Sequence, residues 1–255
     1  MVELKTDAAL DSMREAGRVV AHALAAVRET AAVGTRLTEL DEVAHDVLRK
    51  AGARSPFLHY HPSFAPTPFP AVICASVNDV IVHGIPDKYR LRDGDLVSID
   101  FGAELDGWTG DAAVSFTVGR ADATDTLLIE TAEKALAAGV AAAVPGARIG
   151  DISAAIGAVA HATGYGIPAG FGGHGIGRRM HEDPHVPNDG RPGRGMRLRP
   201  GLVLAIEPML MAGGGSHYEV APNGWALKTV DGTRAAHAEH TVAITRDGPR
   251  ILTLP

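Results

Sequence analysis

Cysteine is almost missing from this 255-residue chain. Cys74 stands alone, so no disulfide can close within it, and a reducing compartment is the expected setting. Long apolar runs are missing too. The oiliest stretch, Ala135 to Val144, contains Gly139 and stops at Pro145, well short of the roughly 20 residues a membrane span needs. The first residues show no basic segment followed by an apolar one, so no secretory signal is read there. Positive charge is in deficit: 24 Lys and Arg against 30 Asp and Glu leave a net charge of −6. That excludes a chain-wide basic field for nucleic acid or an anionic membrane. Arg191, Arg194, Arg197 and Arg199 form a local basic stretch that reads as a solvated loop. The expected setting is the cytoplasm.

Several catalytic signatures are absent as well. There is no Gly-x-Ser-x-Gly elbow. Cys74 follows Ala71-Val72-Ile73 and reads as a buried or pocket-lining thiol, not a nucleophile. Glycines at 170, 172, 173, 175 and 177 argue against a helix across Phe171–His185, and so against the His-Glu-x-x-His zinc arrangement. The same run lacks the Lys-Ser/Thr ending of a phosphate loop, and no βαβ unit with a downstream acid accompanies it.

What remains is ordinary globular composition, 45% apolar and 21% charged, organised as a chain that resembles itself. Helical patterning runs from Thr6 to about Val33, with Thr6 or Asp7 as the cap, and from about Thr38 to Ala51, with Leu40, Val43, Val47 and Leu48 on one stripe and Gly52 as the stop. It returns over about Ala121–Val144 and Asp151–Thr163, ended by Pro145-Gly146 and Gly164. Gly34-Thr-Arg-Leu-Thr-Glu-Leu aligns with Gly146-Ala-Arg-Ile-Gly-Asp-Ile at an offset of 112, which also matches Gly52 to Gly164. Arg92–Asp100 resembles Arg199–Glu207, and Asp111–Thr117 resembles Glu239–Thr245. Similarity at this separation implies two halves of one design, about 1–119 and 120–255, folded as one pseudo-symmetric α+β domain spanning 1–255.

In both strand comparisons an acid falls on an acid. Alternation places Asp100 with Ser98 on one face of its strand, opposite Val97, Ile99, Phe101 and Ala103. Asp111 lies opposite Ala112, Val114, Phe116 and Val118. Asp106-Gly107 is a hairpin signal. A two-residue turn there sets 100 and 111 diagonally across the ladder; a turn one residue earlier sets them face to face. Gly110 is a candidate bulge that leaves the register open. Either register puts both carboxylates on the polar face, where like charges repel. A shared proton, an arginine or a multivalent cation can offset that repulsion, and the cation is the most effective. Glu207 and Glu239 repeat the arrangement, so a pseudo-twofold brings four carboxylates to one centre, with oxygens enough for two divalent ions. His174 and His181 fall beside this cluster as a ligand and an acid/base or oxyanion partner; His83 stays ambiguous from the sequence.

The strings Cys74-Ala-Ser-Val-Asn78, Val82-His-Gly-Ile-Pro86, Asp93-Gly-Asp-Leu-Val-Ser-Ile-Asp100, Gly110-Asp111, Gly173-His-Gly-Ile-Gly-Arg178, His181-Glu-Asp-Pro184, Ile206-Glu-Pro-Met209 and Glu239-His-Thr-Val242 together resemble type I methionine aminopeptidases, of the pita-bread metallopeptidases. The resemblance implies an antiparallel sheet covered by two helix pairs about a pseudo-twofold. It implies a cytoplasmic, monomeric enzyme that removes the initiator methionine from nascent polypeptides whose second residue is small, with a transient contact at the ribosome. It assigns Asp100, Asp111, His174, Glu207 and Glu239 as ligands of two divalent ions (Co, Mn, Fe or Zn), with Asp111 and Glu239 bridging. Glu207 is also the base, and His83 and His181 contact the scissile peptide. Phe69, Cys74 and Trp225 match positions lining the methionine pocket. The departures are a proline-rich insertion, Pro62–Pro68, which leaves the match of Tyr60 open, Met180 beside the catalytic histidine, and Ala238 before Glu239, both at positions where an aromatic is common. The alternatives are a proline-directed aminopeptidase or dipeptidase of the same fold, and a non-catalytic binding protein that shares it.

Overall fold

The computed structural model describes residues 2–255. In chain order the elements are α1 (Asp7–Thr30), α2 (Leu37–Ala51), β1 (Ile73–Val77), β2 (Val80–Val82), β3 (Leu96–Leu105), β4 (Trp108–Thr117), α3 (Ala123–Ala142), α4 (Ile149–Thr163), β5 (Gly172–Gly175), β6 (Glu182–Pro187), β7 (Val203–Ile206), β8 (Met209–Met211), β9 (Tyr218–Val220), β10 (Leu227–Thr229), β11 (Ala235–His237), β12 (Glu239–Thr245) and β13 (Gly248–Ile251). No helix among the described residues is long and apolar enough to cross a membrane.

The repeated helix pairs are built by repeated local devices. The backbone N–H of Arg36 donates to Glu39 Oε2 at 3.0 Å, and that of Arg148 donates to Asp151 Oδ2 at 2.7 Å. Each satisfies a donor left free at a helix start. Gly52 and Gly164 end α2 and α4 in the left-handed region, at φ 66° and 74°, where only a residue without Cβ sits at no cost. Thr6 caps α1 through Ala9, and Asp122 caps α3 through Thr124. α3 stops at Ala142 because Pro145 cannot continue the helix. On α2 the fully buried line is Leu37, Leu40, Ala44 and Leu48. Val43 and Val47, expected on that stripe, are only partly covered, because the buried line runs from Leu40 to Leu48 through Ala44.

The main sheet has eight strands in the order β1-β3-β4-β12-β7-β5-β6, with β13 beside β12. All its pairings are antiparallel. One core packs α1 and α2, through Val20, Leu24 and Leu40, onto Val97, Ile99 and Phe101. A second packs α3 and α4, through Leu128, Leu136, Ile152 and Ile156, onto Leu204, Ile206 and Val242. This is the α+β, pseudo-twofold arrangement of an antiparallel sheet under two helix pairs that the resemblance implied. Burying both apolar faces against helices is what joins the halves into one sheet.

One glycine expectation is corrected. Gly110 makes no bulge: it pairs with Ala103 in an unbroken ladder. A Cβ there would sit 3.0 Å from Gly17 Cα, so the glycine serves close packing of α1 on β4. Gly173 and Gly175 lie within a strand flanked by β7 and β6. Their Cβ atoms would overlap the carbonyls of Ala205 and Asp183, so it is strand against strand that requires them.

Candidate active site

Five neighbouring strands carry one polar side chain each to the same place. Asp100 lies on β3, Asp111 on β4 and Glu239 at the start of β12; Glu207 follows β7 directly, and His174 lies on β5. These strands are adjacent in the order β3-β4-β12-β7-β5. The β3–β4 turn is the two-residue Asp106-Gly107, with Leu105 opposite Trp108, so Asp111 pairs with Gly102 and Asp100 with Ala113. The two carboxylates therefore stand diagonally on one face. Glu239 also pairs with Ala113, from the other side of β4. Thr241 clamps the junction: Asp111 N–H donates to Thr241 Oγ1 at 2.9 Å, and that hydroxyl donates back to the Asp111 carbonyl at 2.7 Å. On the far side, Asn188 Nδ2 donates to the Glu207 carbonyl at 2.9 Å.

Burial and mutual repulsion both act on these acids. Burial, with the charge of Glu207 added, pushes Asp100 up to about 7 despite the opposing effect of His237. Burial pushes Glu207 up to about 8. Asp111 and Glu239 are driven well above the carboxylate range, by burial first and then by the neighbouring acids. The histidines move the other way. His174 falls to about 3, by burial and then by His181. His83 falls to about 4, by burial and then by His237 and His181. The ring of His174 has an assignable tautomer: Nδ1 lies 2.9 Å from the Gly175 carbonyl, which can only accept, so Nδ1 carries the proton. Nε2 is left as a lone-pair donor, 3.5 Å from Glu207 Oε1.

The group suits cations. Asp100 Oδ1, Asp111 Oδ1, Glu239 Oε1 and His237 Nε2 are buried without a hydrogen-bond partner, and stranding such atoms is unfavourable unless something fills the gap. Donor atoms of Asp111, His174 and Glu239 lie within 4.8 Å of one another, as do those of Glu207, His237 and Glu239. Clustered carboxylates with an imidazole form a donor set suited to divalent first-row metals.

The centre is the floor of a cavity of about 310 Å³, room for one side chain and the adjoining peptide. Phe69, Cys74 and Trp225 line it, and so does Tyr60, whose place the sequence left open. Phe69 and Trp225 meet edge to face with centroids 5.1 Å apart. His181 lies beside His174, with centroids at 4.4 Å, and against Tyr60 at 5.4 Å. His83 faces Phe171 and Trp225 from a left-handed backbone position, φ 59°. That is strained for a non-glycine residue, a cost met where a side chain must be aimed. Met180 lines the cavity, whereas Ala238 is buried in the second core.

His237 escaped the sequence reading, as did the wall residues Phe57, Phe64 and Phe171. His237 stands two residues before Glu239, a period-two signal. It was unreadable because the chain changes strands at Ala238, between β11 and β12.

Comparison with known proteins agrees in kind. The sequence profile of metallopeptidase family M24 matches residues 11–246. The chain is 52% identical over 252 residues to methionine aminopeptidase 1 of Mycobacterium tuberculosis, covering 96% of this chain and 92% of that one. The crystal structure of methionine aminopeptidase from Thermotoga maritima superposes with a TM-score of 0.95, at 37% identity and full coverage of both chains. Prolidase from Pyrococcus furiosus, at 23% identity and a TM-score of 0.79, shares the fold over 99% of this chain and 65% of its own.

Proposed function

The chain belongs to metallopeptidase family M24, and from that premise we propose that it is an aminopeptidase that removes the initiator methionine from new polypeptides whose second residue is small. The observation that carries this reading is the convergence of Asp100, Asp111, Glu239, Glu207 and His174 from adjacent strands beneath an aromatic-walled cavity. Two relatives more than 30% identical over nearly the whole chain bear the name methionine aminopeptidase. The prolidase shares only the fold, so the proline-directed alternative is not favoured. The lone buried cysteine and a substrate emerging from synthesis both suit the cytoplasm, where the chain acts as a monomer and meets the ribosome transiently.

Asp100, Asp111, His174, Glu207 and Glu239 would hold a pair of divalent cations, from among Co, Mn, Fe and Zn, which would supply Lewis acidity and a water of lowered pKa. The chain's own groups do the rest. The carboxylates receive the substrate α-amine, which limits attack to the first peptide bond. Glu207 accepts the proton of the attacking water. His181, kept neutral by burial, donates a hydrogen bond to the oxygen that becomes negative. His83, likewise neutral, contacts the departing amide nitrogen. Phe69, Cys74 and Trp225 exclude water around the methionine side chain.

The test is hydrolysis of Met-Ala-Ser against Xaa-Pro peptides by the cation-loaded protein. Met-Ala-Ser is cleaved, chelation stops it, and Glu207→Gln removes turnover. Preferential cleavage of the Xaa-Pro peptides, or full turnover in Glu207→Gln, overturns the reading.

A further inference from the structure

The family resemblance places one imidazole, His174, on the carboxylate centre; the structure brings a second. His237 ends β11 and is 1% exposed. Its backbone is held on both sides by one hydroxyl. His237 N–H donates to Ser115 Oγ at 3.0 Å, and Ser115 Oγ donates to the His237 carbonyl at 2.7 Å. Ser115 has a single proton, committed to that carbonyl, so Ser98 is the donor in the 2.7 Å contact between the two serines. Pairing of His237 with Met209 holds the same residue from β8. The ring is thus aimed by β4 and β8 together. Its Nε2 lies 3.4 Å from Glu207 Oε2 and 4.0 Å from Glu239 Oε2, and it has no hydrogen-bond partner.

The 3.4 Å to Glu207 is a separation that donors around a common ion take. Two atoms each about 2.0–2.2 Å from one cation stand about 2.8–3.6 Å apart at octahedral to tetrahedral angles, and the 4.0 Å to Glu239 lies just beyond that range. The 3.5 Å between His174 Nε2 and Glu207 Oε1 fits the same range. Glu207 therefore has one imidazole at each carboxylate oxygen. Donor atoms within 4.8 Å of one another form two overlapping sets, Asp111 with His174 and Glu239, and Glu207 with His237 and Glu239.

We propose that His237 is a metal ligand, so that each of the two cation positions has an imidazole of its own: His174 at one and His237 at the other. This rests on the metallopeptidase reading above. It has a chemical consequence, because imidazole favours Fe, Co and Zn where an all-oxygen position favours Mn. The competing arrangement is His237 donating a hydrogen bond to Glu207 Oε2 from outside the coordination sphere, and the two differ in a direct spectroscopic readout.

The experiment loads the chelated protein with Co(II) and follows contact-shifted histidine ring protons by NMR, with Co(II) affinities measured by calorimetry, for the native chain, His237→Gln and His237→Ala. Two histidines with contact-shifted rings are expected in the native chain. In the variants one set disappears, and one Co(II) equivalent binds at least about tenfold more weakly, the least that loss of even a partner outside the coordination sphere costs. A single contact-shifted histidine in the native chain overturns the proposal even if neither variant folds. So do variants whose Co(II) affinities match the native ones. A native chain that takes up no Co(II) fails the metallopeptidase reading itself; one that binds Co(II) and cleaves Met-Ala-Ser while showing one histidine fails only this inference.

Discussion

Trp225 and Thr67 are joined by a hydrogen bond, indole Nε1–H to the Thr67 carbonyl at 2.9 Å, and it ties the proline-rich insertion to the wall of the cavity. The same indole packs against Phe64, at 5.9 Å between ring centroids, and Phe69, at 5.1 Å. Trp225→Phe keeps an aromatic wall but frees the loop. Losing one such bond is worth about 1 kcal/mol, so KM for Met-Ala-Ser rises about fivefold in steady-state kinetics while kcat stays nearly constant. An unchanged KM would separate the loop from the pocket.

Replacing His181 by Ala removes the neutral donor beside the centre. Loss of one preorganised donor to a developing oxyanion costs about 10²–10³-fold in kcat. Full rate measurements should place the loss in kcat with little change in KM; the reverse pattern would make His181 a binding group only.

The acids give the chelated protein a definite pH dependence. Asp100 at about 7 and Glu207 at about 8 bind protons more tightly folded than unfolded, and Asp111 and Glu239 are raised in the same sense. The sign is fixed: this contribution is complete below the unfolded values near 4 and is lost as pH rises through the folded ones. The buried histidines, with lowered values, act oppositely below about 6.5. Between about pH 6.5 and 8 the acids act alone, so thermal stability of the chelated protein falls across that window. Adding cations restores stability and releases protons. A flat or rising melting temperature over the window would refute the raised values.

Gly17 packs where a Cβ would overlap the Leu252 carbonyl oxygen. Gly17→Ala forces α1 off the C-terminal segment, and overpacking of this kind costs about 1–3 kcal/mol. Denaturant unfolding should register that loss; a stability equal to the native one would mean that the segment moves freely.

Cys74 is 5% exposed, and its thiol is pushed well above the usual range, by burial first and then by Asp100. Thiolate is the reactive form, so iodoacetamide at pH 8 modifies Cys74 in the folded protein at least about tenfold more slowly than in denaturant. Equal rates would place the thiol in solvent.

Much of this was legible in the chain because it is local. The capped and glycine-ended helix pairs follow from Gly34 to Gly52 and Gly146 to Gly164, where each residue acts on a neighbour a few positions away. Alternation put Asp100 and Asp111 on one face in either register. The packing role of the glycines at 173 and 175 is not legible in the chain, because the atoms that forbid a Cβ there, the Ala205 and Asp183 carbonyls, are brought up only by the fold. His237 is not legible as a site residue, because the chain changes strands at Ala238 and its backbone is held by Ser115, far away in the chain.

The amino-acid order alone determined the four helices, the β3–β4 hairpin and the identity of the four acids, since periodicity and turn chemistry act within a few residues. Which strands became neighbours was decided only in three dimensions. Inserting β12 between β4 and β7 sets Glu239 between Asp111 and Glu207, and it is stabilised by burying the apolar faces of both halves at once. That burial is a property of the assembled layers and belongs to no single segment.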